Sequence, residues 1–153
     1  MPTVHSTVEI QAPAAALFAL SQDYEERLRW DPFLREMRFL DGATVAAVGT
    51  RVWVRARNGL TMEVRTTTLE PPARVAVTMV KGPWIFRSFA GAWSFKASSP
   101  GSTRVSFRYH FTSRLPPLDR ALAWVLRREM DRRVRALKAA AETLLTPASC
   151  ATR

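Results

Sequence analysis

Apolar and polar positions alternate from Thr3 to Gln11, with Val4, Ser6, Val8 and Ile10 on one side and His5, Thr7 and Glu9 on the other. That period of two predicts a half-buried strand. Pro13 then opens Ala14 to Leu20 as a short apolar helix. Asp23 is placed to cap a second helix from Tyr24 that carries Leu28, and Pro32 stops it at Trp30-Asp31, because proline lacks an N–H and clashes with the preceding turn. From Arg35 to Phe111 the period returns to two and predicts strands over Glu36–Leu40, Arg51–Arg57, Thr61–Leu69, Val75–Lys81, Ser88–Ala97 and Thr103–Thr112. Turn residues separate them: Asp41-Gly42, Asn58-Gly59, Pro71-Pro72, Gly82-Pro83 and Pro100-Gly101. Asn58-Gly59 suits a type I′ hairpin, and short turns throughout imply antiparallel neighbours.

Parity sorts the side chains. Val52, Val54, Met62, Val64, Val75, Val77, Met79, Phe89, Trp93, Phe95, Val105, Phe107, Tyr109 and Phe111 share one face; Arg51, Arg55, Arg57, Glu63, Arg65, Lys96, Arg104, Arg108 and His110 share the other. If Ser99-Pro100-Gly101 closes a three-residue hairpin, Phe95 faces Val105, Trp93 faces Phe107 and Gly91 faces Tyr109, which keeps the aromatics together.

After Pro116 and Pro117 the period lengthens. No proline or glycine interrupts the chain until Pro147, which predicts one helix of roughly 27 residues, about 40 Å long, with Asp119 in its first turn. At about 100° per residue, Leu122, Leu126, Met130, Val134, Leu137, Ala141 and Leu144 form one stripe, while Arg120, Arg127, Arg128, Arg135 and Lys138 lie away from it. The stripe needs an apolar partner, and the inner sheet face is the one the chain offers. The pattern therefore predicts an α+β fold: a curved antiparallel sheet of about seven strands, two short helices after the first strand, and a long C-terminal helix across the concave face.

A length of 153 residues suits one domain, drawn here over 1–146 with a tail over 147–153. No apolar run approaches the ~20 residues of a membrane span. The N-terminus enters a strand pattern with no charged-then-apolar leader, so a cytoplasmic protein is expected. Cys150 lies in the tail and has no partner for an internal disulfide. The net charge of +10 fits an anionic partner, such as nucleic acid, a membrane surface or an acidic carrier protein. All but three of the 23 basic residues are arginine, however, scattered along every element with no like-charge block. A GC-rich genome explains that as readily, and nucleic acid is not the expected partner.

The order of elements resembles the START-like (SRPBCC) superfamily, the helix-grip fold, and within it bacterial polyketide cyclase/dehydrase and lipid-transport-type proteins. The likeness rests on Val8-Glu9-Ile10-Gln11-Ala12-Pro13 leading to Leu17-Phe18, on Arg29-Trp30-Asp31-Pro32-Phe33, Gly49-Thr50-Arg51-Val52 and Leu69-Glu70-Pro71-Pro72, and on Trp93-Ser94-Phe95 answered by Gly101-Ser102-Thr103-Arg104-Val105. It implies a deep apolar pocket between sheet and C-terminal helix. Trp30, Phe33, Val54, Met62, Val64, Val77, Met79, Phe89, Trp93, Phe95, Phe107, Tyr109, Leu126, Met130 and Arg133 are the expected lining. The bulky rings around the small residues Gly91 and Ala56 either enclose a void or fill the core.

Arg133 falls within the apolar stripe. It is either a cationic anchor for a carboxylate, enolate or phenolate, or an i,i+4 partner of Glu129 with its stem over apolar surface. Tyr109, the one hydroxyl-bearing ring on that face, either orients a ligand carbonyl or assists a proton transfer, or is a core tyrosine whose hydroxyl bonds the backbone. The segment Gly82–Arg87 is apolar for a loop and reads as a gate, a membrane-touching tip, a dimer contact or a plug. With two outward-facing histidines, no metal-ligand spacing, no nucleophile elbow and no phosphate cradle, neither a metal nor another cofactor is expected. Three functions follow in order: carriage or sensing of a hydrophobic small molecule such as a lipid, isoprenoid or polyketide; a cyclase/aromatase acting on carrier-bound chains through Arg133 and Tyr109; and an interaction module on the basic outer face, where Trp53 stands among arginines.

Overall fold

A computed structural model describes residues 3–144. The expected tail over 147–153, with Cys150, lies outside the described residues. The elements run β1 (Thr3–Ile10), α1 (Ala14–Gln22), α2 (Tyr24–Trp30), β2 (Leu34–Phe39), β3 (Arg51–Ala56), β4 (Thr61–Glu70), β5 (Arg74–Lys81), β6 (Phe86–Ser99), β7 (Ser102–Ser113), a 3₁₀ turn (Pro116–Leu118) and α3 (Asp119–Leu144). The strands form one sheet in the order β1-β7-β6-β5-β4-β3-β2, every neighbour antiparallel. All seven predicted strands and the three helices are present.

Two turns differ from expectation. Ala56 N–H donates to Leu60 O at 2.8 Å and Gly59 N–H to Ala56 O at 2.9 Å, so the β3–β4 loop has three residues. Gly59 alone takes the left-handed conformation, at φ 94°, while the Asn58 side chain accepts from Leu60 N–H at 3.0 Å. A type I′ turn needs positive φ at both central residues; the Asn58 side-chain bond holds the type I form with a glycine bulge instead. At the other hairpin Ser99 pairs with Ser102, leaving only Pro100-Gly101 in the loop. An irregularity between Ala97 and Ser99 absorbs the difference and restores Phe95↔Val105, Trp93↔Phe107 and Gly91↔Tyr109 as predicted.

The long helix starts where the Ser113 hydroxyl donates to the Asp119 carboxylate at 2.5 Å. Met130, Val134, Leu137 and Ala141 are buried and Leu122 and Leu126 half-buried, the stripe expected from spacing. It packs mainly on β1 and β7, and the Ser6 hydroxyl, donating to Asp131 at 2.5 Å, pins it to the edge strand. The core lies under this half of the sheet: Ile10 and Val105 from the strands, Leu17 from α1, and Met130 and Leu137 from α3 are fully enclosed. The opposite half, toward β2, has less above it.

Candidate functional site

Asp31 sits where α2 stops. Pro32 prevents another turn, and the Asp31 carboxylate accepts from Phe33 N–H at 3.0 Å, which turns it inward until it is fully buried. Arg133 arrives from the buried stripe of α3. Its Nε donates to Asp31 Oδ1 and Oδ2 at 3.0 and 3.1 Å, and its Nη2 to Oδ2 at 2.8 Å. Arg27, one turn before Asp31, donates to the same carboxylate at 3.3 Å. The remaining arm of Arg133, Nη1, donates to the Tyr109 hydroxyl at 2.5 Å, and its guanidinium lies 4.9 Å from each of the Phe33 and Phe107 ring centres.

The sequence expectation named Glu129 as the partner of Arg133. Glu129 instead meets Arg132 at 3.4 Å on the solvent side of α3, because the fold brings in a carboxylate that spacing along one helix does not reveal. Tyr109 can reach Arg133 because its cross-strand partner is glycine. A Cβ on Gly91 would stand 3.2 Å from two carbons of the Tyr109 ring.

Two guanidinium groups share one carboxylate, so the cluster carries a net positive charge in the interior. Burial pushes the Asp31 carboxyl up, but Arg133 and Arg27 outweigh it and hold Asp31 below its ordinary 3.8. Burial opposes the charge on Arg133, yet Asp31 and Tyr109 together lift it above the ordinary arginine value. Burial and then repulsion from Arg133 lower Arg27. Tyr109 is raised, chiefly by burial, against the pull of Arg133.

Around this cluster the fifteen expected lining residues divide. Trp93, Phe95, Phe107, Tyr109, Met130 and Arg133 are 5% exposed or less. Trp93 and Phe107 stack with centres 4.0 Å apart and planes 10° apart, Phe107 and Phe89 each lie 4.7 Å from Tyr109, and Phe95 meets Trp93 and the Phe18 edge. In this part the rings fill the core. Trp30, Phe33, Val54, Met62, Val64, Val77, Met79, Phe89 and Leu126 are only half-buried. Six of these nine lie on the inner parity of β3 to β6, Trp30 and Phe33 flank the end of α2, and Leu126 is on the first half of α3. The inner sheet face is thus sealed over β6 and β7 and only half-covered over β3 to β5, with the Arg133 cluster on the sealed side. Trp30 Nε1, buried at this border, has no hydrogen-bond partner.

Sequence reasoning missed a recess of about 450 Å³ at the α1–α2 corner, lined by Phe18, Gln22, Tyr24, Phe39, Val45 and Leu69 among others, where Tyr24 stacks on Phe39 at 4.9 Å. Another of about 430 Å³ lies between the start of α1 and the β6–β7 hairpin. Neither is lined by an expected ligand residue. In the segment Gly82–Arg87, Phe86 plugs the sheet end against Phe89 and Phe111, while Trp84 is 66% exposed. Among the described residues no group of His, Cys, Asp and Glu is arranged to hold a metal ion, and no helix is long and apolar enough to cross a membrane.

The fold is shared with solved structures at low sequence identity. The ZhuI aromatase/cyclase from Streptomyces sp. R1128 is 18% identical, with a TM-score of 0.82 over 94% of this chain and 95% of that one. A START superfamily protein from Mycobacterium smegmatis is 16% identical at 0.79 over 93% and 98%, and the major latex-like protein 151 from Panax ginseng is 10% identical at 0.75 over 90% and 95%. No curated protein matches the chain. The family model described as "Polyketide cyclase / dehydrase and lipid transport" matches residues 1–142. Family match, strand order and helix placement agree, and the chain belongs to this family of START-like, helix-grip proteins.

Proposed function

We propose that the protein binds a hydrophobic small molecule, a lipid, isoprenoid or polyketide-like compound, in the groove between the inner face of β3–β5 and the first half of α3. The supporting observation is the asymmetry of burial. Val52 and Val75 are sealed, yet Val54, Met62, Val64, Val77 and Met79 on the same face remain half-open, an apolar surface that a guest would complete. Covering about 200 Å² of it contributes roughly 5 kcal/mol at 25 cal/mol per Å². Trp30 Nε1, a donor without an acceptor beside this surface, is the nearest unsatisfied polar atom that the guest's polar end could engage once the indole shifts.

A second reading, a cyclase or aromatase acting on carrier-bound polyketide chains, is favoured by one detail. A guanidinium only donates, so in the bond from Arg133 the Tyr109 oxygen accepts and the phenol keeps its own proton to give. A phenol beside a buried cation is suited to polarising a ligand carbonyl. Weighing against an outer-face interaction module, Trp53 lies between Arg38 at 4.2 Å and Arg55 at 5.2 Å, and Arg51, Arg55 and Arg104 are each paired with carboxylates.

Native mass spectrometry of freshly purified protein, followed by titration of the emptied protein with oleate, tests the first reading. A retained apolar mass, or saturable oleate binding lost in Met62→Trp, is the expected result. Oleate binding that Met62→Trp leaves untouched would place the ligand elsewhere and overturn it.

A further inference from the structure

Large apolar side chains are exposed at the end of the molecule where β5 passes to β6 and β7 passes to α3. Trp84 is 66% exposed, Trp124 63%, Val125 54%, Leu118 44% and Leu115 40%. They come from two stretches that the fold joins: Arg114 N–H donates to Ile85 O at 2.8 Å, fastening the β5–β6 loop to the segment that leads into α3. On α3, Ala121, Trp124 and Val125 share one outward stripe, opposite the buried one, and Leu118 is exposed in the 3₁₀ turn just before it. Isolated exposed apolar residues are ordinary, but two tryptophans and three aliphatic side chains gathered at one end are not.

The charge around them is mostly positive, and Glu129 at the border is already paired with Arg132 at 3.4 Å. Lys81, Arg87, Arg114, Arg120, Arg127 and Arg128 are all exposed. Within residues 80–87 and 113–128 the only acidic side chain is Asp119, and its carboxylate is engaged by the Ser113 hydroxyl. Two arginines lie over the exposed indoles, Arg114 at 6.0 Å from Trp84 and Arg128 at 5.5 Å from Trp124. Indoles partition to the boundary between headgroup and acyl chain, and arginines beside them meet lipid phosphates. A second copy fits poorly, since self-pairing of this face would set six cations against six.

We infer that this end of the molecule is a docking surface for an anionic phospholipid bilayer, with Trp84 and Trp124 entering the interface and the surrounding arginines holding the headgroups. It does not depend on what the groove binds. The test is co-sedimentation of the full chain with large vesicles of phosphatidylcholine alone or mixed with phosphatidylglycerol. The protein is expected to pellet with the mixed vesicles, to be released by salt, and to stay in solution with phosphatidylcholine alone. Trp84→Ser combined with Trp124→Ser lowers the partition coefficient about tenfold or more, and Arg114→Gln combined with Arg128→Gln lowers it about thirtyfold. Unchanged circular dichroism and melting of both variants check that the fold is kept. The inference is overturned if the wild type ignores anionic vesicles, or if the double tryptophan variant binds them as well as the wild type. It also fails if the variant abolishes a dimer, or abolishes binding of an acidic carrier protein, in a wild type that never pellets.

Discussion

Arg133 and Asp31, 102 residues apart in the chain, meet through three nitrogen–oxygen approaches of 2.8 to 3.1 Å, both side chains almost wholly out of solvent. The pair joins the end of α2 to the middle of α3. Removing one member leaves the other charged and buried, whereas removing both leaves neither exposed to that penalty. Asp31→Asn, which strands Arg133 and Arg27 together, is expected to cost about 3–5 kcal/mol in chemical denaturation. Asp31→Asn with Arg133→Met should cost clearly less than the sum of the single changes. Additive losses would mean that the pair is not coupled.

The same pair sets an acid limit. The Asp31 carboxyl is held below 3.8 in the folded protein by Arg133 and Arg27 overcoming the effect of burial. A carboxylate with a depressed folded-state value contributes stability that is fully present above its unfolded value and is lost as pH falls through the folded one. Urea midpoints should therefore be flat from neutrality to about pH 5 on account of this group and fall steeply below about pH 4. Arg133→Met removes the larger of the two charges that depress Asp31 and should make the acid limb shallower.

The alkaline side has its own signature. The chain has two tyrosines, and both are raised above their ordinary 10.0, Tyr24 and Tyr109 alike mainly through burial. A raised folded-state value stabilises the fold below the unfolded value and ceases to do so as pH rises through the folded one. Ultraviolet titration of the native protein should thus lag behind that of the unfolded chain, with the absorbance of the enclosed Tyr109 appearing only on unfolding. Both tyrosinates forming near pH 10 in a protein that stays folded would contradict the burial of Tyr109.

How much of this was legible beforehand depends on whether the information is local. Parity and helical spacing located every strand, the faces and the buried stripe of α3, and they put Arg133 on that stripe. They did not reveal Asp31 as its partner, because the carboxylate comes from a helix end shaped by Pro32 and is brought in by tertiary packing. The i,i+4 rule could offer only Glu129, which faces Arg132. The fullness of the core was half legible. The register that paired Trp93 with Phe107 already made them neighbours on one face, and stacking at 4.0 Å follows. Parity fixes the side of the sheet and says nothing of depth, so it did not separate the sealed Trp93, Phe95 and Phe107 from the half-open Met62, Val64 and Met79. Depth depends on where α3 comes to rest, over β1 and β7 and not over β4.

Gly91 makes a further prediction because its size, not its flexibility, matters. Alanine in place of a strand glycine ordinarily helps by restricting the unfolded chain. Here its Cβ would press on Cδ1 and Cε1 of Tyr109 at 3.2 Å and tilt the ring that Arg133 holds. Gly91→Ala is expected to destabilise by about 1–3 kcal/mol, and to be neutral or stabilising when Tyr109 is first changed to Leu. Equal effects in both backgrounds would separate Gly91 from the Tyr109–Arg133 contact.

Tyr109→Phe distinguishes the two readings of the site. The ring and its packing on Phe89 and Phe107 are kept, and only the oxygen that accepts from Arg133 Nη1 is removed. One buried N–H is left without a partner, a loss of about 1–3 kcal/mol. For a protein that only carries its ligand, affinity comes from the apolar groove wall, so binding of oleate to the folded variant should stay within about threefold of wild type, a difference below 1 kcal/mol. For a cyclase that uses the phenol as proton donor, turnover of a carrier-bound polyketide should fall by about 10²–10⁴ while binding is kept. Intact binding with no wild-type turnover to lose is the outcome expected here. A rate that collapses in Tyr109→Phe, with the fold and the affinity preserved, would move the phenol from a packing role to a catalytic one.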